Sequence, residues 1–261
     1  MLLPDLTLWV FVALLCAAFL AGWLDAIGGG GGLIQLPALL IALPADATAL
    51  ALGTNKVSSI VGTSAAARNY SRTIKPNPTL LKPMILGAFL GSLCGTIVAV
   101  SLNPEVFRPI IFIVLSVMWV VTLRVNARDE VPSQTNHWGS TASFAVCFGI
   151  GFYDGAIGPG TGIFLILLLV LQYGLSFLKA SASAKFINIA TNLASILVFG
   201  FTGNIWWLLG FSMAIANLTG GIVGSNLAIK RGSRFVRVFL LWAIGFILIR
   251  FGLEFLGFFK I

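Results

Sequence analysis

Asp25-Ala-Ile-Gly-Gly-Gly-Gly-Gly-Leu-Ile-Gln-Leu-Pro37 is the stretch on which the reading of this chain turns. Five successive glycines, Gly28, Gly29, Gly30, Gly31 and Gly32, cannot hold an unbroken helix, since each costs about 1 kcal/mol against alanine. Apolar residues flank the run on both sides. Backbone that unwinds between two hydrophobic segments is tolerated inside a membrane only where protein buries it or where it lines a cavity. A second stretch of the same kind, Asp154-Gly-Ala-Ile-Gly-Pro-Gly-Thr-Gly162, also lies between apolar runs. Matching interruptions in the two halves of a membrane chain point to a transporter's binding site.

Composition agrees with that reading. The chain has 261 residues, 58% hydrophobic and 9% charged, with a mean hydropathy of +1.02. A soluble domain carries roughly 25% charged residues, so the fold class is an all-α polytopic membrane protein. The net charge of +8 and pI near 9.9 are read as topology charge. No basic-aromatic pattern supports a nucleic-acid partner. Cys16, Cys94 and Cys147 fall in apolar segments without metal-ligand spacing and read as packing residues. Neither a metal nor a cofactor is expected. The N-terminus lacks the basic region of a cleaved signal peptide, so the first hydrophobic segment is expected to be retained.

Ten apolar segments are expected, at 8–26, 32–43, 47–67, 79–101, 106–124, 139–157, 161–174, 178–200, 204–228 and 236–258. Most have the roughly 20 residues that a bilayer requires; the second and seventh are too short and read as re-entrant or buried. The halves repeat. At an offset of 129, Phe19, Gly22 and Asp25 meet Phe148, Gly151 and Asp154, and Lys56 meets Lys185. One residue is inserted at the glycine run, where Gly28, Gly30 and Gly32 meet Gly158, Gly160 and Gly162. The expected organisation is a first transmembrane repeat at 1–125, a cytoplasmic linker at 126–138 and a second repeat at 139–261.

Positive charge sets orientation. Arg68, Arg72, Lys75 and Lys82 form one basic loop, Arg124 and Arg128 a second, Lys179 a third, and Lys230, Arg231, Arg234 and Arg237 a fourth. All are placed in the cytoplasm, against only Arg108, Arg250 and Lys260 at the opposite ends. The basic loop follows the third segment in the first half and the fourth segment in the second half, which makes the repeats inverted. Two opposed Gly-rich hairpins are expected, in a multi-pass protein of the cell membrane with both termini outside.

Lys56 and Lys185 are the deepest charges, roughly 14 Å and 11 Å from the starts of their segments at 1.5 Å per residue. A cation that deep marks a functional site by default; the plainer reading is an internal salt bridge to Asp25 and Asp154. Helices starting near Gly32 and Gly162 present free amides and a positive dipole end, a combination that binds anions. Gly158, Gly160, Thr161 and Gly162 form the second such turn, and Asn55 and Asn188 lie beside the lysines. Asp25 and Asp154 are candidates for a coupling proton site, for lysine counter-ions, or for caps of the glycine-loop amides. Gly87, Gly91 and Gly95, matched by Ala216, Gly220 and Gly224, read as close helix-packing ridges. Arg250 and Glu254 are expected to pair, and Trp206 and Trp207 to anchor at the interface.

The stretch at 25–37, followed by Gly53-Thr54-Asn55-Lys56, resembles the TauE/SafE family of sulfite and organosulfur anion exporters. Ala156 to Gly162 and Ala184-Lys185-Phe-Ile-Asn188 fit the same pattern. The resemblance covers nearly the whole chain and implies export of a small anion such as sulfite, a sulfonate or a related organic anion. The residues themselves describe a secondary transporter with a midplane anion site, or alternatively a passive anion channel. An enzyme is not expected: there is no Ser-His-Asp set, and the single histidine, His137, lies in a loop.

Overall fold

The computed structural model describes residues 6–44, 47–101 and 139–255. The expected fifth segment at 106–124, the linker at 126–138, and Arg108, Arg124, Arg128, His137 and Lys260 lie outside the described residues. So do the side chains of Arg250 and Glu254. Eight helices are described: α1 (Leu8–Gly28), α2 (Gly32–Ala42), α3 (Thr48–Ser71), α4 (Pro78–Ala99), α5 (Ser140–Ala156), α6 (Thr161–Tyr173), α7 (Phe177–Phe201) and α8 (Trp207–Phe255). No strand occurs among the described residues. Helix α8 bends at Gly232 (φ 75°, ψ −173°), so its two arms stand where the last two apolar segments were expected.

Four stretches, α1, α4, α7 and Trp207–Trp242 of α8, are long and apolar enough to cross a membrane. Helices α2 and α6 are short apolar helices of 11 and 13 residues, as their segment lengths predict. Helix α3 is as long as the spanning helices at 24 residues, but it is more polar because it carries Thr54, Asn55, Lys56 and Ser58, all buried. Large side chains such as Trp9, Phe201, Ile215 and Trp242 face outward, the pattern of helices whose outer surface meets acyl chains rather than water.

Bare glycine faces let the helices approach. Gly87, Gly91 and Gly95 of α4 lie against the carbonyls of Phe144, Phe148 and Phe152 of α5, where a Cβ would overlap the neighbouring backbone. Gly220 and Gly224 of α8 lie in the same way against the carbonyls of Phe19 and Trp23 of α1. Numbers rise together in both pairs, so the partners run parallel. Several contacts have a counterpart at offset 129: Gly91 with Phe148 corresponds to Gly220 with Phe19, Gly95 with Phe152 to Gly224 with Trp23, and Gly151 with Ala88 to Gly22 with Asn217. Small-residue ridges of this kind replace the missing hydrophobic drive for helix association in lipid.

Helix α3 runs parallel to α8. Trp206 N–H donates to Thr54 Oγ1 (3.0 Å) near its start, and Asn69 donates to Ser225 and Asn226 (2.8 Å each) near its end. Helices α3 and α7 cross in opposite directions. Gly53 abuts Phe199, while Tyr70 and Ser181 both donate to the carbonyl of Ala26 (2.9 and 3.3 Å). The end of α3, the start of α7 and the bend of α8 thus share one end of the bundle, the last joined there by Leu178 N–H donating to Ser233 Oγ (3.3 Å). The basic residues around 68–82, 179 and 230–237 belong to that end, and the uncharged 200–206 turn lies at the other.

Candidate functional site

Each glycine turn begins with a residue whose backbone only glycine adopts without strain. Helix α1 ends as Gly29 turns left-handed (φ 76°), its N–H bonded to the Asp25 carbonyl (2.8 Å). Helix α5 ends before Gly158 (φ 91°), and α6 starts after Gly160 (φ 84°). The helical state survives through Gly28 and resumes at Gly32, so the break is three residues, shorter than the five glycines suggest. The spare glycines serve contact instead. A Cβ on Gly29 would overlap the backbone of Gly162, and a Cβ on Gly162 would overlap Gly29. Gly32 lies against Pro159, the same contact under the 130-residue offset of the turns. The two interruptions therefore meet backbone to backbone.

Both lysines stand eight residues into their helices, Lys56 after Thr48 and Lys185 after Phe177, or about 12 Å along the axis. Lys56 Nζ donates to Asp154 Oδ2 and to the Asp154 carbonyl, each at 2.7 Å. Lys185 Nζ donates to Asp25 Oδ2 at 3.0 Å and also to the Asp25 carbonyl. The two lysines are 2% and 1% exposed; the Lys56–Asp154 pair is buried on both sides, whereas Asp25 keeps 14% of its side chain exposed, and each pair joins opposite halves of the chain. Asp25 and Asp154 occupy the last turns of α1 and α5, where free carbonyls and the negative dipole end also attract a cation. Thr63 Oγ1 donates to Asp25 Oδ2 (3.1 Å). Among the described hydrogen bonds the carboxylates accept from Lys56, Lys185 and Thr63 and from no glycine-loop amide.

A cavity of about 30 Å³ opens where the turns meet the lysine helices, enough for about two waters. Gly29, Gly31 and Gly32 line it from one turn; Gly158, Gly160, Thr161 and Gly162 line it from the other. Asn55, Lys56, Asn188, Asp25 and Asp154 complete the expected set. Gly28, Gly30 and Lys185 are not among its lining residues: Gly28 packs on Leu240, Gly30 on Leu24, and Lys185 is turned to the Asp25 carboxylate. The amides of Gly31, Gly32 and Gly162 have no acceptor among the described residues, and they sit at the positive ends of α2 and α6. The cavity thus offers amide donors and an ammonium at one locus, with two carboxylates close by.

Ser59, Thr63, Asn192 and Asn217 also line the cavity. Thr63 could have been found from its spacing, seven residues after Lys56 and so on the same helical face. Asn217 could not, because its counterpart at offset 129 is Ala88 and the repeat gives no signal there. Among the described residues no group of three or more His, Cys, Asp or Glu could hold a metal ion.

A family profile described as sulfite exporter TauE/SafE matches residues 14–251. The chain belongs to the TauE/SafE family. Three of its relatives are a "Probable membrane transporter protein ORF9" of a Sinorhizobium species, 34% identical over 91% of this chain and 90% of the relative; a "Probable membrane transporter protein" of Haemophilus influenzae, 33% identical over 89% and 91%; and "Probable membrane transporter protein YfcA" of Escherichia coli K12, 33% identical over 84% and 81%. No solved structure matches significantly. As a TauE/SafE member the chain is a membrane transporter and not an enzyme, and its surroundings are a lipid bilayer.

Proposed function

We propose that this TauE/SafE protein is a secondary transporter that carries a small anion, such as sulfite, a sulfonate or a related organic anion, out of the cell. The observation that carries the reading is the cavity between the two glycine turns. It combines unpaired backbone amides at two helix N-termini with a buried lysine, the donor set that holds oxyanions. The anion sits against Lys56 and the amides of Gly31, Gly32 and Gly162. Lys185 acts one step back, holding Asp25 at the cavity wall.

The two halves act as inverted repeats. Support comes from the paired contacts at offsets of 129 and 130, and from the opposite directions of α3 and α7. Exchange of conformations between the halves then exposes one central site to each side in turn. The basic end of the bundle is cytoplasmic under the positive-inside rule, which puts the site near the membrane midplane and both termini outside. A cavity of only about 30 Å³ suits a gated carrier better than a continuous anion pore.

Two lysines and two aspartates leave the site without net formal charge, so an anion must take Lys56 from Asp154. The released Asp154 is the group that accepts a coupling proton. Flux of small anions into proteoliposomes, with and without a pH gradient, tests the reading. Lys56-dependent, saturable uptake at carrier rates is expected. Unsaturable conduction in planar bilayers, or no Lys56-dependent flux of any small anion, would sink it.

A further inference from the structure

The charges around the cavity are duplicated, and Ser59 and Thr63 recur at offset 129 as the polar Asn188 and Asn192, but other neutral polar groups beside it have apolar counterparts. At offset 129, Asn55 corresponds to Ala184, Ser58 to Ile187 and Asn217 to Ala88; at the turn offset of 130, Gln35 corresponds to Leu165. Three of these residues form one buried network on the first-half side. Ser58 Oγ and Asn217 Nδ2 both donate to Gln35 Oε1 (3.3 and 2.7 Å), and Gln35 Nε2 donates to the main-chain carbonyl of Asn55 (3.5 Å). The network steadies the turn of α3 that presents Asn55 to the cavity, yet it leaves the Asn55 side chain alone. Asn55 is 6% exposed, its Oδ1 is buried without a partner, and its Nδ2 makes no hydrogen bond within the described chain. Buried polar side chains in native proteins are bonded in the large majority of cases, and a carboxamide offers both a donor and an acceptor. Of the two lysines, Lys56, the next residue, is the one that lines the same cavity.

We propose that Asn55 is the specificity-determining contact of the site, reading a hydrogen-bond donor on the anion that Lys56 holds, so that the substrate is a small anion bearing an O–H beside its charged group. Resting on the anion-transport reading above, this narrows it to a singly protonated oxyanion or a hydroxy-substituted acid. The carboxamide accepts from the ligand hydroxyl while Lys56 and the turn amides satisfy the charged oxygens. An anion of the same shape without the hydroxyl leaves the buried acceptor unpaired. Sites built to bond a ligand hydroxyl reject the analogue lacking it for that reason. Ala184 at the corresponding position of α7 has no such group, and Asn188 Oδ1, which α7 does bring to the cavity, already accepts from Thr191 and Asn192 (3.3 and 3.2 Å), so the hydroxyl is read by Asn55.

Two matched pairs of anions test this: hydrogencarbonate against nitrate, and glycolate against acetate. Their affinities are measured on purified wild type, Asn55→Ala and Lys56→Met. Alanine at the corresponding position of α7 indicates that the helix tolerates the change, and Asn55→Ser gives the same readout should Asn55→Ala not purify. The expected result is a preference of about tenfold for the hydroxyl-bearing member of at least one pair. That preference falls to near unity in Asn55→Ala, while the other member's affinity stays within about threefold. The pair that discriminates tells a protonated oxyanion from a hydroxy acid. Lys56-dependent binding without discrimination in wild type, or discrimination that survives Asn55→Ala, overturns this inference and leaves the anion reading standing. Lys56-independent binding, or no binding of any of the four, overturns both.

Discussion

Lys56 Nζ lies 2.7 Å from Asp154 Oδ2, so a lysine of the first half is held by an aspartate of the second. The reciprocal pair, Lys185 with Asp25 at 3.0 Å, repeats the arrangement at offset 129. Both pairs cross between the halves, and any rocking of one half against the other must carry or break them. Burial makes that consequential, because desolvated charges tolerate loss of a partner badly.

The two lysines are therefore expected to behave differently when removed. Lys56→Met should destabilise the fold by about 3–5 kcal/mol, since it strands the buried Asp154 carboxylate, and Lys185→Met by less, since Asp25 is partly exposed and keeps its bond from Thr63. Adding Asp154→Asn to the first, or Asp25→Asn to the second, should recover most of that stability. Affinity separates the two. Lys56 lines the cavity, so its loss should cost about 2–5 kcal/mol of anion binding, roughly thirty- to several-thousand-fold. The stabilised Lys185→Met/Asp25→Asn variant should keep affinity within about tenfold of wild type, a bound we set from its lack of direct ligand contact. Melting temperature and anion affinity on singles and doubles decide the matter. Equal affinity losses from both lysines in folded protein would put Lys185 in the site as well.

Coupling is tested at the carboxylates. Asp154→Asn keeps shape and hydrogen-bonding capacity but cannot carry a proton at this position. It should retain anion binding and facilitated exchange in proteoliposomes while losing accumulation driven by a pH gradient. If Asp154→Asn and Asp25→Asn both still concentrate anion under that gradient, neither carboxylate is the coupling group.

Orientation is accessible to cysteine labelling in a background lacking Cys16, Cys94 and Cys147. Gly203 has a positive φ and Ser233 is buried, so the exposed neighbours Thr202 and Arg234 are the better probes. An impermeant thiol reagent added outside intact cells should modify Thr202→Cys and spare Arg234→Cys. Labelling of both from one side would remove the inverted-repeat topology.

Close approach of the two turns makes its own prediction. Gly162→Ala places a methyl inside the Gly29 backbone, and overpacking of this kind costs about 1–3 kcal/mol. Transport should be lost along with it, because the same two turns frame the cavity. Gly149, with nothing near its missing Cβ, is the control: Gly149→Ala should be neutral or stabilise by up to about 1 kcal/mol through helix propensity. A Gly162→Ala variant as stable and active as wild type would show that the turns do not meet as described.

Apolar segment lengths, the two glycine interruptions and the 129-residue repeat were all legible in the chain itself. Each is a local or one-dimensional property: hydropathy sums over some twenty neighbours, and a repeat is visible wherever Asp25 and Lys56 recur as Asp154 and Lys185. The candidate site was legible to the same extent, since most of its residues fall in the two turns or next to the two lysines.

Tertiary structure decided what depends on residues about a hundred positions apart. It set which aspartate each lysine takes, and the partner is in the opposite half each time. It turned Lys56 toward the cavity and Lys185 away from its lining, although their helices offer them the same register. It brought Asn217 to the cavity, with Gln35 bonded behind it, from helices whose counterparts carry Ala88 and Leu165, where no repeat could announce them. The reason is physical. A lysine eight residues into a helix can reach several neighbours, and the packing of two halves, through bare glycine ridges, selects among them. Lysines at matching positions of the repeated sequence thus come to do different work because their surroundings are built from different side chains.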